Sequence, residues 1–185
     1  MPGIGQSGAS PTPHPDSLGV IISMPEDLAA DLNRWRESFA GPEAAAVPPH
    51  ITLVSGRADG SWTQAAEHVR AIAAAGNPFT IALRGTGTFA PISPVVFLRL
   101  EQGVEQCVKL HELLLDGPVE HLVEFEFSPH LTVAHDLDDD TMARAETAMA
   151  DFAAEFEVRS IGLYDYSQGG WALREELNLG GFQTP

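Results

Sequence analysis

One pattern governs what this chain can become: a five-residue string that occurs twice. Pro49-His50-Ile51-Thr52-Leu53 returns as Pro129-His130-Leu131-Thr132-Val133, with the same order of residue types, Pro, His, aliphatic, Thr, aliphatic. The aliphatic and threonine residues favour extended backbone, and side chains on a strand alternate between its two faces. His50 and Thr52 therefore point one way, and Ile51 and Leu53 the other. His130 and Thr132 stand likewise against Leu131 and Val133. Each copy offers an imidazole and a hydroxyl on one face and an aliphatic pair for a core on the other. Two such strands facing each other make a symmetric pocket with two acid/base groups and two neutral hydrogen-bond donors.

The segments around the two strings repeat as well. Leu18 to Ile22 reads as a short apolar strand, and Ser23-Met24-Pro25-Glu26 fits a capping box opening a helix. That helix carries Leu28, Leu32, Trp35 and Phe39 at helical spacing and breaks at Gly41-Pro42. In the second half Val95 to Leu100 is the strand, and Val104, Cys107, Val108, His111 and Leu114 form the stripe of a helix ended by Asp116-Gly117-Pro118. A helix also follows each string. Ser61-Trp62-Thr63-Gln64 opens the first, and Asp138, Asp139 and Asp140 suit the positive end of the second, whose stripe runs Met142, Ala145, Met149, Phe152, Phe156. Phe79, Ile81 and Leu83 alternate as a strand before a Gly85-Thr86-Gly87 turn, and further strands are expected near 156–164 and 171–177. Both halves read strand, helix, Pro-His-x-Thr strand, helix, strand. Such self-similarity predicts an α+β chain of two lobes related by a pseudo-twofold, with the motifs meeting near the axis. Residues 1–16, rich in Gly, Ser and Pro, are expected to form a disordered tail, leaving 17–185 as one bilobal domain.

Charge narrows the function. The net charge is −16, and Lys109 is the only lysine. Proteins hold a long phosphate backbone with many Lys and Arg contacts, so no long nucleic-acid partner is expected. A small phosphorylated ligand is compatible, because a local pocket can oppose the global sign. The single cysteine, Cys107, can make neither an intrachain disulfide nor a cysteine-based zinc site. No apolar run approaches the ~18 residues of a membrane span, and the N-terminus has no signal-like segment; a soluble, cytoplasmic monomer is the expectation.

An imidazole titrates near ~6.5, so it can serve as base or acid at neutral pH. Two of them on opposite sides of a phosphate allow one to deprotonate the nucleophile while the other protonates the leaving oxygen. The threonine hydroxyls can donate to phosphate oxygens as charge builds. No metal or other cofactor is needed.

This constellation resembles the two-histidine (2H) phosphoesterase superfamily, which includes the LigT-like 2′-5′ RNA ligases and cyclic phosphodiesterases. Its signature, one His-x-Thr/Ser-x motif per lobe, stands here as His50-Ile51-Thr52-Leu53 and His130-Leu131-Thr132-Val133, and the likeness runs from about Leu18 to the C-terminus. The resemblance implies two pseudo-twofold-related lobes, each an antiparallel sheet flanked by helices, around a central cleft. It implies His50 and His130 as the catalytic pair, and Thr52 and Thr132 as phosphate-binding residues. The activity implied is metal-independent hydrolysis of a small 2′,3′-cyclic phosphate or nucleotide. The acidic composition argues against RNA ligation. The competing reading is a protein that binds a phosphorylated ligand without turnover on the same scaffold; a metal-dependent hydrolase is the third.

Other residues carry weaker signals. His68, His111 and His121 read as hydrogen-bonded structural groups. His135 lies five residues beyond His130, which places the two on opposite strand faces unless a bulge intervenes. Arg57, Arg84 and Arg99 are expected at the surface, although each could lend charge to the cleft. Phe89 and Tyr164 occupy comparable places in the two halves, and either could stack on a base.

Overall fold

The computed structural model describes residues 16–123, 125–166 and 169–181. Most of the expected tail, residues 1–15, lies outside them. The elements in order are β1 (Ser17–Ser23), α1 (Glu26–Ala40), β2 (His50–Ala58), α2 (Trp62–Ala75), β3 (Phe79–Thr88), β4 (Val95–Gln102), α3 (Val104–Leu115), β5 (Val119–His121), β6 (His130–His135), α4 (Asp139–Ala148), β7 (Ala153–Val158), β8 (Ser160–Asp165) and β9 (Ala172–Asn178). The strand order is β7-β3-β4-β6-β2-β1-β8-β9, with β5 added to β2, and every pairing is antiparallel.

That order is symmetric about its centre. β6 and β2 sit in the middle, β4 and β1 flank them, and β3 and β8 come next. The two motif strands touch through a single pair, Ile51 with Leu131. Both residues are the apolar position between His and Thr in their motif, and both are fully buried. The sequence repeat thus lands on the structural pseudo-twofold, and the buried aliphatic pair pins the two lobes together. α3 packs against β2, whereas α1 packs against β6 of the other lobe; α4 packs against β3, β4 and β6. The aliphatic faces of the strands meet these helices, and the His/Thr face is left as a cleft.

Local expectations succeed where side-chain chemistry is strong. Ser61 accepts from the Gln64 amide at the start of α2. Asp138 caps α4, accepting from the Thr141 amide at 2.9 Å, and its hydrogen bonds with Thr141 hold its carboxyl below its usual value. Ser23 does not cap α1. It ends β1, and the helix instead begins at the Pro25 carbonyl, which accepts from Ala29. The stripe assigned to the last helix also runs too far. α4 stops at Ala148, and Phe156 belongs to β7, where Phe156 and Val158 are buried while Glu155 and Glu157 are exposed. A period of two overrides a coincidental helical spacing there. Gly85-Thr86-Gly87 is not a turn between elements but an irregular stretch inside β3, where the register against β4 shifts. A Cβ on Gly87 would lie 2.7 Å from the Phe97 ring, so glycine allows that ring to lie flat on the sheet. No described helix is long and apolar enough to cross a membrane.

Candidate active site

The single Ile51–Leu131 pair sets the crossing of the motifs. Because β2 and β6 run antiparallel, His50 lies across from Thr132, and Thr52 across from His130. All four side chains line one cavity of about 210 Å³, together with Arg36, Val47, Pro49 and His135. The four residues named from the sequence are therefore gathered in one place.

The two imidazoles are held the same way. His50 Nδ1 donates to the Pro48 carbonyl at 2.8 Å, and His130 Nδ1 donates to the Ser128 carbonyl at 2.7 Å. A carbonyl only accepts, so Nδ1 carries the hydrogen in both rings and Nε2 is the nitrogen free to exchange a proton. In each motif the anchor is the backbone two residues before the histidine. Burial lowers the pKa of both rings, partly opposed by these backbone bonds; the Arg36 charge lowers His50 further, and His50 lowers His130. The effect of His50 on His130 places the two rings within electrostatic reach of each other.

His135 belongs to this cavity, against the simple alternation of a strand. Across the β4–β6 ladder Val96 faces Ala134 and Phe97 faces Thr132, so Val133 is an extra, unopposed residue. Val133 and Ala134 are both buried, and the count of faces shifts by one. His135 consequently returns to the cleft side. β2 does the same: Val20 faces Val54 and Ile21 faces Thr52, leaving Leu53 extra and both Leu53 and Val54 buried. Ser55 is the pseudo-symmetric counterpart of His135, and it too faces a cavity. The only sequence signal for these bulges is a run of two adjacent aliphatics after each Thr.

Among the described residues β2 pairs with β6 only at Ile51 and with β5 only from Gly56 onward, which leaves a gap in the sheet on that edge. Two histidines span it. His111 of α3 donates from Nδ1 to the Leu53 carbonyl at 2.7 Å, and His121 Nδ1 accepts from the Ser55 amide at 3.3 Å. The His111 ring stacks on Phe127 at 3.9 Å and meets His121 edge-on. Burial, followed by the neighbouring His111, lowers the His121 pKa, which preserves its unprotonated acceptor nitrogen. His111→Phe keeps the stacked ring but orphans a buried carbonyl, so stability falls by about 1–3 kcal/mol. Urea denaturation reads this directly, and an unchanged midpoint would refute the role.

The remaining residues fall where their partners place them. Arg57 pairs with Glu120 and Arg84 with Glu101, so both are exposed surface ion pairs. Arg99 differs: it stands opposite His130 on β4 and forms no ion pair with a described residue. Arg36, which the sequence reading did not single out, donates to Asn33 and to the Val47 carbonyl, tying α1 to the segment before the first motif. Phe89 meets the His130 ring edge-on at 4.9 Å. His68 bonds to the Leu113 carbonyl, and burial pushes the Cys107 thiol up to about 12, leaving it unreactive. Among the described residues no three His, Cys, Asp or Glu side chains converge as a metal cage.

Known proteins share this architecture. A Bacillus mycoides protein whose name marks it as a candidate phosphoesterase is 32% identical over 88% of this chain and 96% of its own length. A second from Bacillus licheniformis is 26% identical over 88% and 98%. Two solved structures superpose along most of the chain: Thermus thermophilus TT0787 (TM-score 0.61, 21% identity, 90% of this chain and all of that one) and Escherichia coli LigT in complex with 3′-AMP (TM-score 0.64, 19% identity, 90% and 99%). At these identities the two structures speak for the fold. The family model described as the 2′-5′ RNA ligase superfamily matches residues 24–170, a span that takes in both motif strands and the cavity between them. The chain belongs to the 2′-5′ RNA ligase superfamily, the two-histidine phosphoesterases.

Proposed function

We propose that this protein is a metal-independent phosphodiesterase that hydrolyses a small cyclic phosphate or nucleotide of the 2′,3′-cyclic phosphate class. The observation that carries the reading is the pair of imidazoles in one cavity, each with Nδ1 fixed by a carbonyl and Nε2 left to act. One Nε2 accepts a proton from water as its oxygen bonds to phosphorus. The other delivers a proton to the ribose oxygen as the P–O bond breaks, leaving a phosphomonoester. Thr52 and Thr132 donate to the non-bridging oxygens, and Arg36 adds a fixed positive charge at the rim. That LigT has been crystallised with 3′-AMP, NADP⁺ and ATP supports a small nucleotide-like ligand. The −16 net charge supports a small substrate over an RNA chain. We place the protein in the cytoplasm as a monomer, with residues 17–185 acting as one domain.

The test is hydrolysis of 2′,3′-cyclic nucleotides with excess chelator present, followed as a function of pH. Turnover requires one ring neutral and one protonated, so the profile is a bell. In the free protein both ring pKa values are lowered, so the kcat/KM maximum falls below ~6.5, the ordinary imidazole value. Bound phosphate favours a charged ring, so the basic limb of kcat lies at higher pH than that of kcat/KM. No turnover of any cyclic phosphate, or turnover only with added metal, sinks the proposal.

A further inference from the structure

The pseudo-twofold that gathers the motifs is broken beside them, and the break is one of charge. Each motif imidazole has a neighbour across the sheet on the flanking strand: Ser23 stands opposite His50, whereas Arg99 stands opposite His130. Residues paired in this way share a face, so the exposed Arg99 emerges on the face that carries the cleft. Two residues back on the same face is Phe97, whose ring meets both His130 and Phe89.

The register gathers positive charge there. Between the Leu83–Leu100 and Thr86–Leu98 pairs, β3 has two residues, Arg84 and Gly85, where β4 has only Arg99. Two arginines are thus neighbours with one carboxylate beside them, Glu101, and Arg84 takes it at 2.9 Å. The next carboxylates outward, Glu155 and Glu157 of β7, stand across β3 against Ala82 and Thr80, and Glu157 is paired with Arg159. Arg99 is left with no ion pair or hydrogen bond to a described residue, in a chain of 26 Asp and Glu against 10 Lys and Arg. Other exposed arginines fare differently: Arg34, Arg57, Arg84 and Arg159 each hold a carboxylate.

The side chain also has a prepared bed. A Cβ on Gly87 would lie 2.8 Å from Arg99 Nε and 2.7 Å from the Phe97 ring, so one missing side chain makes room for both. Outward from the phosphate cavity, this face reads imidazole, aromatic ring, guanidinium. A guanidinium's planar fork matches phosphate oxygens, and here no carboxylate of the protein occupies it.

We infer that Arg99, beside Phe97, forms a second anion subsite on the His130 side of the cleft and takes a further phosphate group of the substrate. The inference rests on the phosphodiesterase reading above. It adds that the substrate carries two phosphates, the reacting one between the imidazoles and a spectator at Arg99. One unpartnered guanidinium answers one extra phosphate and not a long backbone, in keeping with the −16 net charge. A phosphomonoester on the same nucleotide and the next phosphodiester of a short oligonucleotide present this same chemistry, and the test separates them.

The experiment is calorimetric titration of the full chain with three ligands: adenosine 3′-monophosphate, adenosine 3′,5′-bisphosphate, and the dinucleotide adenylyl-adenosine 3′-monophosphate, whose extra phosphate is an internal diester. In so acidic a protein an extra phosphate without a partner weakens binding. Wild type is instead expected to bind one of the two doubly phosphorylated ligands about fivefold tighter than the monophosphate, the scale of an exposed charge pair. The favoured ligand identifies the source, bisphosphate for a monoester and dinucleotide for a diester. Arg99→Gln, checked for intact fold by circular dichroism, is expected to bring that ligand to the affinity of the monophosphate or below it, while Arg99→Lys keeps part of the gap. No gap in wild type for either ligand, a gap that Arg99→Gln leaves intact, or a loss shared equally by all three ligands overturns the subsite while leaving the phosphate cavity standing. Failure of all three ligands to bind overturns the phosphate reading and the subsite with it.

Discussion

Replacing either His50 or His130 by Ala lowers kcat on an accepted cyclic phosphate by ~10²–10⁴-fold, and replacing both costs little more than replacing one. The near-equality follows from how the rings are placed. Each sits across from the threonine of the other motif, each is anchored by a backbone carbonyl through Nδ1, and His50 lowers the chance that His130 is charged. A concerted transfer needs one ring to take a proton as the other gives one, so removing either removes the cycle. The fold should survive, because the buried contact between the lobes is Ile51–Leu131 and not the histidines. Steady-state kinetics on the two single variants and the double variant decide the matter. A double variant that loses the sum of the two single effects would mean that the rings act independently. One that keeps wild-type turnover would remove them from the chemistry.

The repeat was legible because it is written in residue types that alternate. His and Thr on one face with aliphatics on the other is a period of two, and two copies at matching places in two similar halves imply a pseudo-twofold. The structure places that axis at the apolar residue inside each motif. The parts that were not legible are those where one residue changes the count. Leu53 and Val133 are bulge residues, and nothing in an aliphatic pair says whether it continues a strand or doubles a position. His135 reaches the cleft face only because a bulge of that kind intervenes. Arg36 was invisible for a different reason: it sits among other charged residues on α1, and only the packing of α1 near β6 brings it to the cleft. Ser23 looked like a helix cap because its spacing to Glu26 suits one, yet it ends β1 and pairs across the sheet with His50 instead. Long-range pairing overrode a sound local pattern in each case.

Thr52→Val or Thr132→Val keeps the shape of the side chain and deletes the hydroxyl, and each is expected to cost roughly 2–4 kcal/mol of transition-state stabilisation, the loss seen on removing one oxyanion donor. The two positions are half-buried on the cleft face, each opposite the histidine of the other motif, so the added methyl meets no packed core. Valine is also a good strand residue, which makes loss of fold a poor explanation for any effect. The size of the effect separates two roles. A hydroxyl that only holds bound substrate raises KM and leaves kcat alone. One that donates more strongly as charge builds on the phosphate lowers kcat as well as kcat/KM. The second pattern is expected for both residues, because a donor fixed on a paired strand cannot follow the substrate and is best matched to the geometry in which the phosphate oxygens carry most charge. Just after Thr52 the backbone is tied by His111 at the Leu53 carbonyl and by His121 at the Ser55 amide. A KM effect without a kcat effect at both positions would reduce the threonines to ground-state contacts and leave the charge stabilisation to Arg36 and the imidazoles.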